Sequence, residues 1–349
     1  MHRWASAAVA ALAALAPSVA TAVETQAPQQ TSYQGGTLCQ ITDRRATAIS
    51  GLATIDDATL LVNDSWPAVV YAVGRGCRVT EWARPGIRVT DVEDLATTVD
   101  GSLWLADTGG NRRLRAAVTV WRLPTRNAKP VPYQLTYPDG PQDTEALLVG
   151  LDGALVLVSK AADGRSGVYT TGPSPVAGSV TRLVRAGTLD LTRLPFGALT
   201  PNTRLVTGGA VSPDGTRLVL RTYRAAYEWD APDCDLVSAI LRTQPRAFEL
   251  PRSRQGEAIT YGPDSSVLYA SSEQLPAPLH QVRVVRPGGS PSQGSAVPPA
   301  YPAAAAALVF LALTGWGVWA RTRGQAGSVV VTTPRVLLSP AGPPPEDTR

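Results

Sequence analysis

The sequence predicts an all-β fold, a β-propeller of five blades followed by a single C-terminal transmembrane helix. Three observations carry this. A hairpin pattern recurs five times, further β-like runs follow each hairpin, and one long uncharged stretch stands near the C-terminus.

The hairpins come first. Five segments align without gaps: "SGLATIDDATLLVNDS" from Ser50, "EDLATTVDGSLWLADT" from Glu93, "EALLVGLDGALVLVSK" from Glu145, "TGGAVSPDGTRLVLRT" from Thr207 and "EAITYGPDSSVLYASS" from Glu257. The eighth residue is always an aspartate, Asp57, Asp100, Asp152, Asp214 and Asp264, and glycine follows in three of them. That is the chemistry of a tight hairpin turn, flanked by Leu/Val-rich runs too short for a typical helix. A third run follows each hairpin ("AVVYAVG", "VTVWRLP", "GVYTTG", "AAYEWD", "HQVRVV"), and usually a fourth ("CRVTEW", "PYQLTY", "RAFELP"). Four strands per unit describe a propeller blade. The turn aspartates are 43, 52, 62 and 50 residues apart, close to a blade period with loop insertions. The last unit shows three strands. The segment "TLCQITD", residues 37–43, is expected to supply the fourth and close the ring, leaving no large sheet edge. Six blades is the alternative, with a degenerate blade in the longest gap.

The two ends set the compartment. Residues 1–22 have a basic start, an Ala/Leu/Val centre and a small-x-small ending at Ala20-Thr21-Ala22, which reads as a secretory signal peptide. Residues 303–320, "AAAAALVFLALTGWGVWA", are 18 uncharged residues followed by Arg321 and Arg323. At about 1.5 Å per residue they nearly span a hydrocarbon core of about 30 Å. Trp316 and Trp319 fall at the interface, and the arginines put the tail, residues 321–349, in the cytoplasm. The Pro/Gly/Ser-rich residues 286–302 read as a stalk. The expectation is a single-pass plasma-membrane protein with its propeller, residues 23–285, outside the cell.

Composition excludes several function classes. The net charge of +4 is spread along the chain, with no basic stripe interleaved with aromatics, so nucleic acid is not an expected ligand. Of two histidines, His2 leaves with the signal and His280 reads as structural, which removes histidine-rich zinc sites. No P-loop, HExxH or GxSxG signature is present. Three cysteines lie outside the membrane. Cys39 with Cys77 would tie the closing strand to the first blade and contribute about 3 to 4 kcal/mol in the entropic account, leaving Cys234 free.

In a hairpin, the start of the first strand and the end of the second lie together, opposite the turn. Fivefold repetition therefore gathers those positions at one channel mouth. The starts are Ser50, Glu93, Glu145, Thr207 and Glu257; the ends bring Asn63, Asp64, Asp107, Lys160, Arg221, Tyr223 and Glu273, with Asp94 and Asp143 close by. Converging polar groups in a concavity make a candidate binding site, for which the predicted ligand-binding residues are Glu93, Asp94, Asp107, Glu145, Lys160, Arg221, Glu257 and Glu273. Asn63, Glu93, Asp107 and Glu145 offer the oxygen ligands that calcium takes. A salt-bridged ring, with Lys160 and Arg221 answering Glu145 and Glu257, would look the same in sequence.

"DGSLWLADTGGNRRL" resembles the NHL type of propeller repeat, in which a strand ending Ala-Asp-Thr runs into a Gly/Asn loop and an arginine. More broadly, the chain is similar to secreted or membrane-anchored bacterial propellers related to NHL and SMP-30-like proteins. The NHL resemblance implies binding of proteins or other macromolecules. The SMP-30 resemblance implies a calcium-dependent lactonase or esterase, with Glu93, Asn63 and Asp107 as its metal ligands. Since no complete catalytic set is present, the leading reading is a cell-surface module that binds a protein, glycan or small ligand. A calcium-dependent extracellular hydrolase is the alternative.

Overall fold

The computed structural model describes residues 31–286 except 174, all within the first of two compact units, Met1–Gly289 and Ser290–Arg349. The predicted signal peptide, the stalk beyond Arg286, the membrane segment and the tail lie outside the described residues. Among the described residues, no helix is long and apolar enough to cross a membrane.

After a first strand, β1 (Ser32–Ile41), the chain builds one sheet after another. Blade one is β2 (Ile49–Ile55), β3 (Ala58–Asn63), β4 (Val70–Val73) and β5 (Val79–Ala83). Blade two is β6 (Asp94–Thr97), β7 (Leu103–Asp107), β8 (Val118–Leu123) and β9 (Val131–Thr136). Blade three starts with β10 (Thr144–Val149), β11 (Leu155–Ser159) and β12 (Arg165–Thr170). The chain then lends β13 (Val180–Arg182) to blade two, parallel to β9, before β14 (Val184–Asp190) completes blade three. Blade four is β15 (Val206–Val211), β16 (Arg217–Thr222), β17 (Ala225–Asp230) and β18 (Arg246–Glu249), with the short helix α1 (Leu236–Arg242) before its last strand. Blade five is β19 (Gly256–Tyr261), β20 (Val267–Ser272) and β21 (Ala277–Val285), completed by β1 running antiparallel to β21. The described chain forms five sheets, so five blades stand and six do not. The inner strands β2, β6, β10, β15 and β19 neighbour one another in a closed ring.

Apolar runs such as "TLLV" are continuous because both faces of a blade are covered. Leu60 packs toward blade two, while Leu61 packs toward blade five. The described core falls into five clusters, one at each interface between neighbouring blades. The repeated aspartates build the turns. Asp100, Asp152, Asp214 and Asp264 each accept the backbone N–H two residues on, at 2.9–3.1 Å.

The closing strand begins earlier than the sequence expectation of residues 37–43, because its first half shows no apolar alternation. Two contacts fix it. Cys39 is disulfide-bonded to Cys77 of blade one, and Tyr33 stacks on Phe248 at 3.7 Å between ring centroids. The fully buried Glu228 accepts from Tyr33 and Tyr261 hydroxyls at 2.7 and 2.9 Å and from Arg246 and Arg286 at 3.3 and 2.7 Å. Arg286, expected as the first stalk residue, is thus bound to the propeller.

Candidate functional site at the channel mouth

Four inner strands slip against their second strands at one place: between Ile49 and Gly51, Thr144 and Ala146, Val206 and Gly208, and Gly256 and Ile259. The residues left without a partner include Ser50, Glu145, Thr207 and Glu257, the same aligned position in each repeat. Blade two behaves alike: the Glu93 amide donates to Ala106 O at 2.8 Å although Asp94 is the residue paired with Ala106. A bulge re-aims the side chain it carries. Glu93, Asp143 and Glu145 consequently present carboxylate oxygens that all lie within 4.8 Å of one another.

This concentration of negative charge is only partly answered. Lys160 Nζ lies 2.6 Å from Glu145 Oε1 and 5.1 Å from the centroid of the Tyr223 ring. Asp143 Oδ1 accepts the Gly110 amide at 2.9 Å. The Glu93 carboxylate, on a residue 9 % exposed, has no hydrogen-bond or ion-pair partner among the described residues. Burial pushes its pKa well up, and Glu145, Asp91 and Asp143 push in the same direction. Burial likewise raises Glu145 to about 8, opposed by Lys160, and Glu257 to about 7, opposed by Lys160 and Arg221. Asp91 and Glu273 are raised by burial and by neighbouring acids.

The "DTGGN" loop wraps the cluster. A Cβ on Gly109 would stand 2.0 Å from Glu93 Oε1 and 2.5 Å from the Asp91 carboxylate, so a larger residue there would push both carboxylates from their present positions. Asp107 is not part of the cluster. Its Oδ1 accepts the amides of Thr90 and Asp91 at 3.1 and 3.0 Å and pairs with Arg115 at 2.9 Å. Asn63 is spent on its own loop, donating to Ser65 O and Pro67 O and accepting from Val69 N. Among the acids the structure therefore sets Asp143, not Asp107, beside Glu93 and Glu145, and Asn63 braces a loop.

Three other predicted site residues have different surroundings from those expected. Asp94 is fully buried at the axis below the mouth, with both oxygens on backbone amides. Arg221, 1 % exposed, donates to the carbonyls of Thr222, Ala258 and Ser271 and forms no ion pair with Glu257 or Glu145. Gly256 leaves it room, since a Cβ there would meet Arg221 Nη2 at 1.9 Å. Glu273 accepts from Gln255 at 2.5 Å. His280 faces Thr37 Oγ1 at 3.0 Å in blade five, and burial holds it down to about 4. Asp91 was legible only in retrospect: it precedes Glu93 by two residues, as Asp143 precedes Glu145.

Three carboxylates, one of them unpartnered, form a hard oxygen donor set suited to a divalent cation such as calcium. Nitrogen- or sulfur-seeking metals find no ligand here, because the three groups are all carboxylates.

No family model matches the chain, nor does any curated protein sequence. Among solved structures, the chain is similar to a PQQ-bound aldose sugar dehydrogenase from Streptomyces coelicolor, at 11% identity and a TM-score of 0.43 over 74% of this chain and 100% of that one. A calcium-binding regucalcin from Agrobacterium tumefaciens gives 15% identity and a TM-score of 0.40 over 69% of this chain and 79% of that one. A gluconolactonase from Xanthomonas campestris gives 11% and 0.37 over 65% and 69%. Likeness at these identities extends no further than the fold.

Proposed function

We propose that this protein is a membrane-anchored extracellular propeller that holds a divalent cation, calcium by its ligand chemistry, at the channel mouth and recognises its ligand there. Glu93, Asp143 and Glu145 are the cation ligands. The observation that carries this is the Glu93 carboxylate: buried, without a partner among the described residues, and facing two further carboxylates. Burial pushes the Glu93 carboxyl toward its protonated form, and a bound cation would hold it ionised. The location outside the cell rests on the signal-like and membrane-like segments of the sequence.

A hydrolytic use of the same site, on a lactone or ester, is favoured by one observation. Glu145 stands 2.6 Å from Lys160 Nζ, and burial raises its carboxyl to about 8, which suits a general acid or base near neutral pH. The binding reading asks less of the residues present.

Calcium titration of the full-length protein, followed by thermal unfolding, tests the reading. A ligand that binds only the folded state raises the melting temperature by mass action. A saturable rise that disappears in Glu93→Gln and in Asp143→Asn is expected. No rise in the well-folded parent protein refutes the cation site. Lactone or ester turnover that needs calcium and is lost in Glu93→Gln would select the hydrolase over the binding module.

A further inference from the structure

Outside the acidic mouth, blade three carries a cavity of opposite character. It has a volume of ≈ 380 Å³, and its lining includes Arg113, Arg165, Arg185, Asp139, Ser159 and Tyr169. Asp139 is engaged by the Tyr169 hydroxyl at 3.0 Å and by Arg185 at 3.4 Å. Asp163, also on the lining, spends Oδ1 on the backbone amide of Arg165. Arg113 and Arg165 are left with no hydrogen bond or ion pair for their side chains among the described residues. Ser159, 2 % exposed, accepts the Gly167 amide at 2.9 Å, which leaves its hydroxyl proton to donate. Two guanidiniums without a hydrogen bond or ion pair among the described residues, and a buried hydroxyl donor, line one cavity, with Asp190 across the strand from Arg165; guanidinium forks match phosphate and carboxylate oxygens.

The cavity shares its elements with the mouth. Gln142 and Ser159 line it, and the next residue in each case, Asp143 and Lys160, belongs to the acidic cluster. Arg113 follows the loop whose Gly110 amide holds Asp143. We propose that this cavity binds an oxyanion group, phosphate, sulfate or carboxylate, carried by the ligand that the mouth receives. The ligand is then bipolar in its demands: one end meets the cation site, and the anionic end meets Arg113 and Arg165. The anion subsite does not depend on the cation site being correct.

The test is calorimetric titration of inorganic phosphate, sulfate and acetate into the full-length protein in calcium-free buffer. Saturable binding of at least one of them is expected, and the anion that binds tightest names the group. The Arg113→Gln/Arg165→Gln double variant should bind it at least about tenfold more weakly, as loss of charge-assisted hydrogen bonds implies. Arg112→Gln, an exposed neighbour outside the cavity, should bind within about twofold of the parent, allowing for the general loss of one surface charge. Glu93→Gln should leave anion binding intact, which separates failure of this subsite from failure of the cation site. Absence of saturable binding by all three anions, or equal binding by the double variant, overturns the proposal. Both arginines are exposed, and thermal unfolding checks that the double variant remains folded.

Discussion

Lys160 Nζ and Glu145 Oε1 meet at 2.6 Å, with the two side chains only 16% and 3% exposed. A pair so buried contributes little net stability, but removing one partner leaves a charge with no answer. In Lys160→Met, Glu145 must stay ionised without compensation or take up a proton. At pH 10, above the value of about 8 that Glu145 has with Lys160 beside it, the variant should lose about 3–5 kcal/mol of unfolding free energy. At pH 5, where a carboxyl of raised pKa takes up a proton at small cost, the loss should be much smaller. Denaturant unfolding at the two pH values measures both. An equal loss at both would mean that packing of the lysine stem, not its charge, is what matters.

The acidic mouth fixes a pH dependence for the cation-free protein. Glu145 is raised from 4.5 to about 8 and Glu257 from 4.5 to about 7. Between these limits the folded state binds more protons than the unfolded one, so stability falls as pH rises. This stability is fully present below about pH 4.5 and is lost as pH climbs through 7 to 8. His280 acts in the opposite sense. Its folded pKa is lowered to about 4, so its contribution is present above the unfolded value of 6.5 and lost as the solution is acidified. Comparison with Glu145→Gln isolates the first effect: the variant should show a flatter decline between pH 5 and pH 8. Cation binding should then release roughly one proton or more at pH 7, because the ligands must be ionised to coordinate. Calorimetry in two buffers of different ionisation enthalpy reads that number. No proton release would leave the cluster ionised beforehand and contradict the raised values.

The blade count was legible because the fold repeats. The turn aspartates and the two-faced apolar runs recur, and each recurrence is an independent sign of the same unit. What escaped were strands with no such signature. The outer strand β14, "VRAGTLD", is largely exposed and carries no apolar alternation, and half of β1 is Gly-rich and exposed. The mouth was legible as a place, since hairpin geometry dictates which residues gather there. Its chemistry was less so. Asp107 and Asp143 are the same residue type near the same mouth, and only backbone amides and Arg115 decide that the first is consumed while the second faces Glu93. Spacing carries no information about which carboxylate the backbone has already satisfied.

The disulfide makes its own prediction. Cys39 and Cys77, 38 residues apart in sequence, link the closing strand to blade one. Cross-linking a loop of that length restricts the unfolded chain by about 3–4 kcal/mol in the entropic account. Cys39→Ser/Cys77→Ser should lose stability of that order, seen as a lower denaturant midpoint, while calcium affinity stays within about threefold because neither cysteine touches the mouth carboxylates. A Cys234→Ser variant should be indistinguishable from the parent, since Cys234 is unpaired.

Asp94 distinguishes a brace from a ligand. At the position after the bulge, the other four repeats carry only Gly51, Ala146, Gly208 and Ala258. A Cβ on Gly51 would come within 2.5 Å of Leu95 N, which shows how little space the axis leaves. Blade two alone puts a long side chain there. Asp94 Oδ1 accepts from Leu95 at 2.8 Å, and Oδ2 accepts from Leu147 of blade three at 2.9 Å and Gly209 of blade four at 3.1 Å. One carboxylate oxygen thus joins two inner strands that do not belong to its own blade. Asp94→Ala takes this acceptor from all three amides, Leu95, Leu147 and Gly209, and each buried donor left unsatisfied costs about 1–3 kcal/mol. Part of this is offset, because burial raises the Asp94 pKa and the variant no longer carries that desolvation. A net loss of about 2–4 kcal/mol follows, with calcium affinity nearly unchanged, since the Asp94 oxygens are turned to the backbone and not to the mouth. Asp94→Asn should be damaged as well, because its amide nitrogen would face a backbone donor. If Asp94→Ala instead keeps its stability and loses calcium, the axial carboxylate is a ligand, and the cation sits deeper in the channel than Glu93, Asp143 and Glu145 place it.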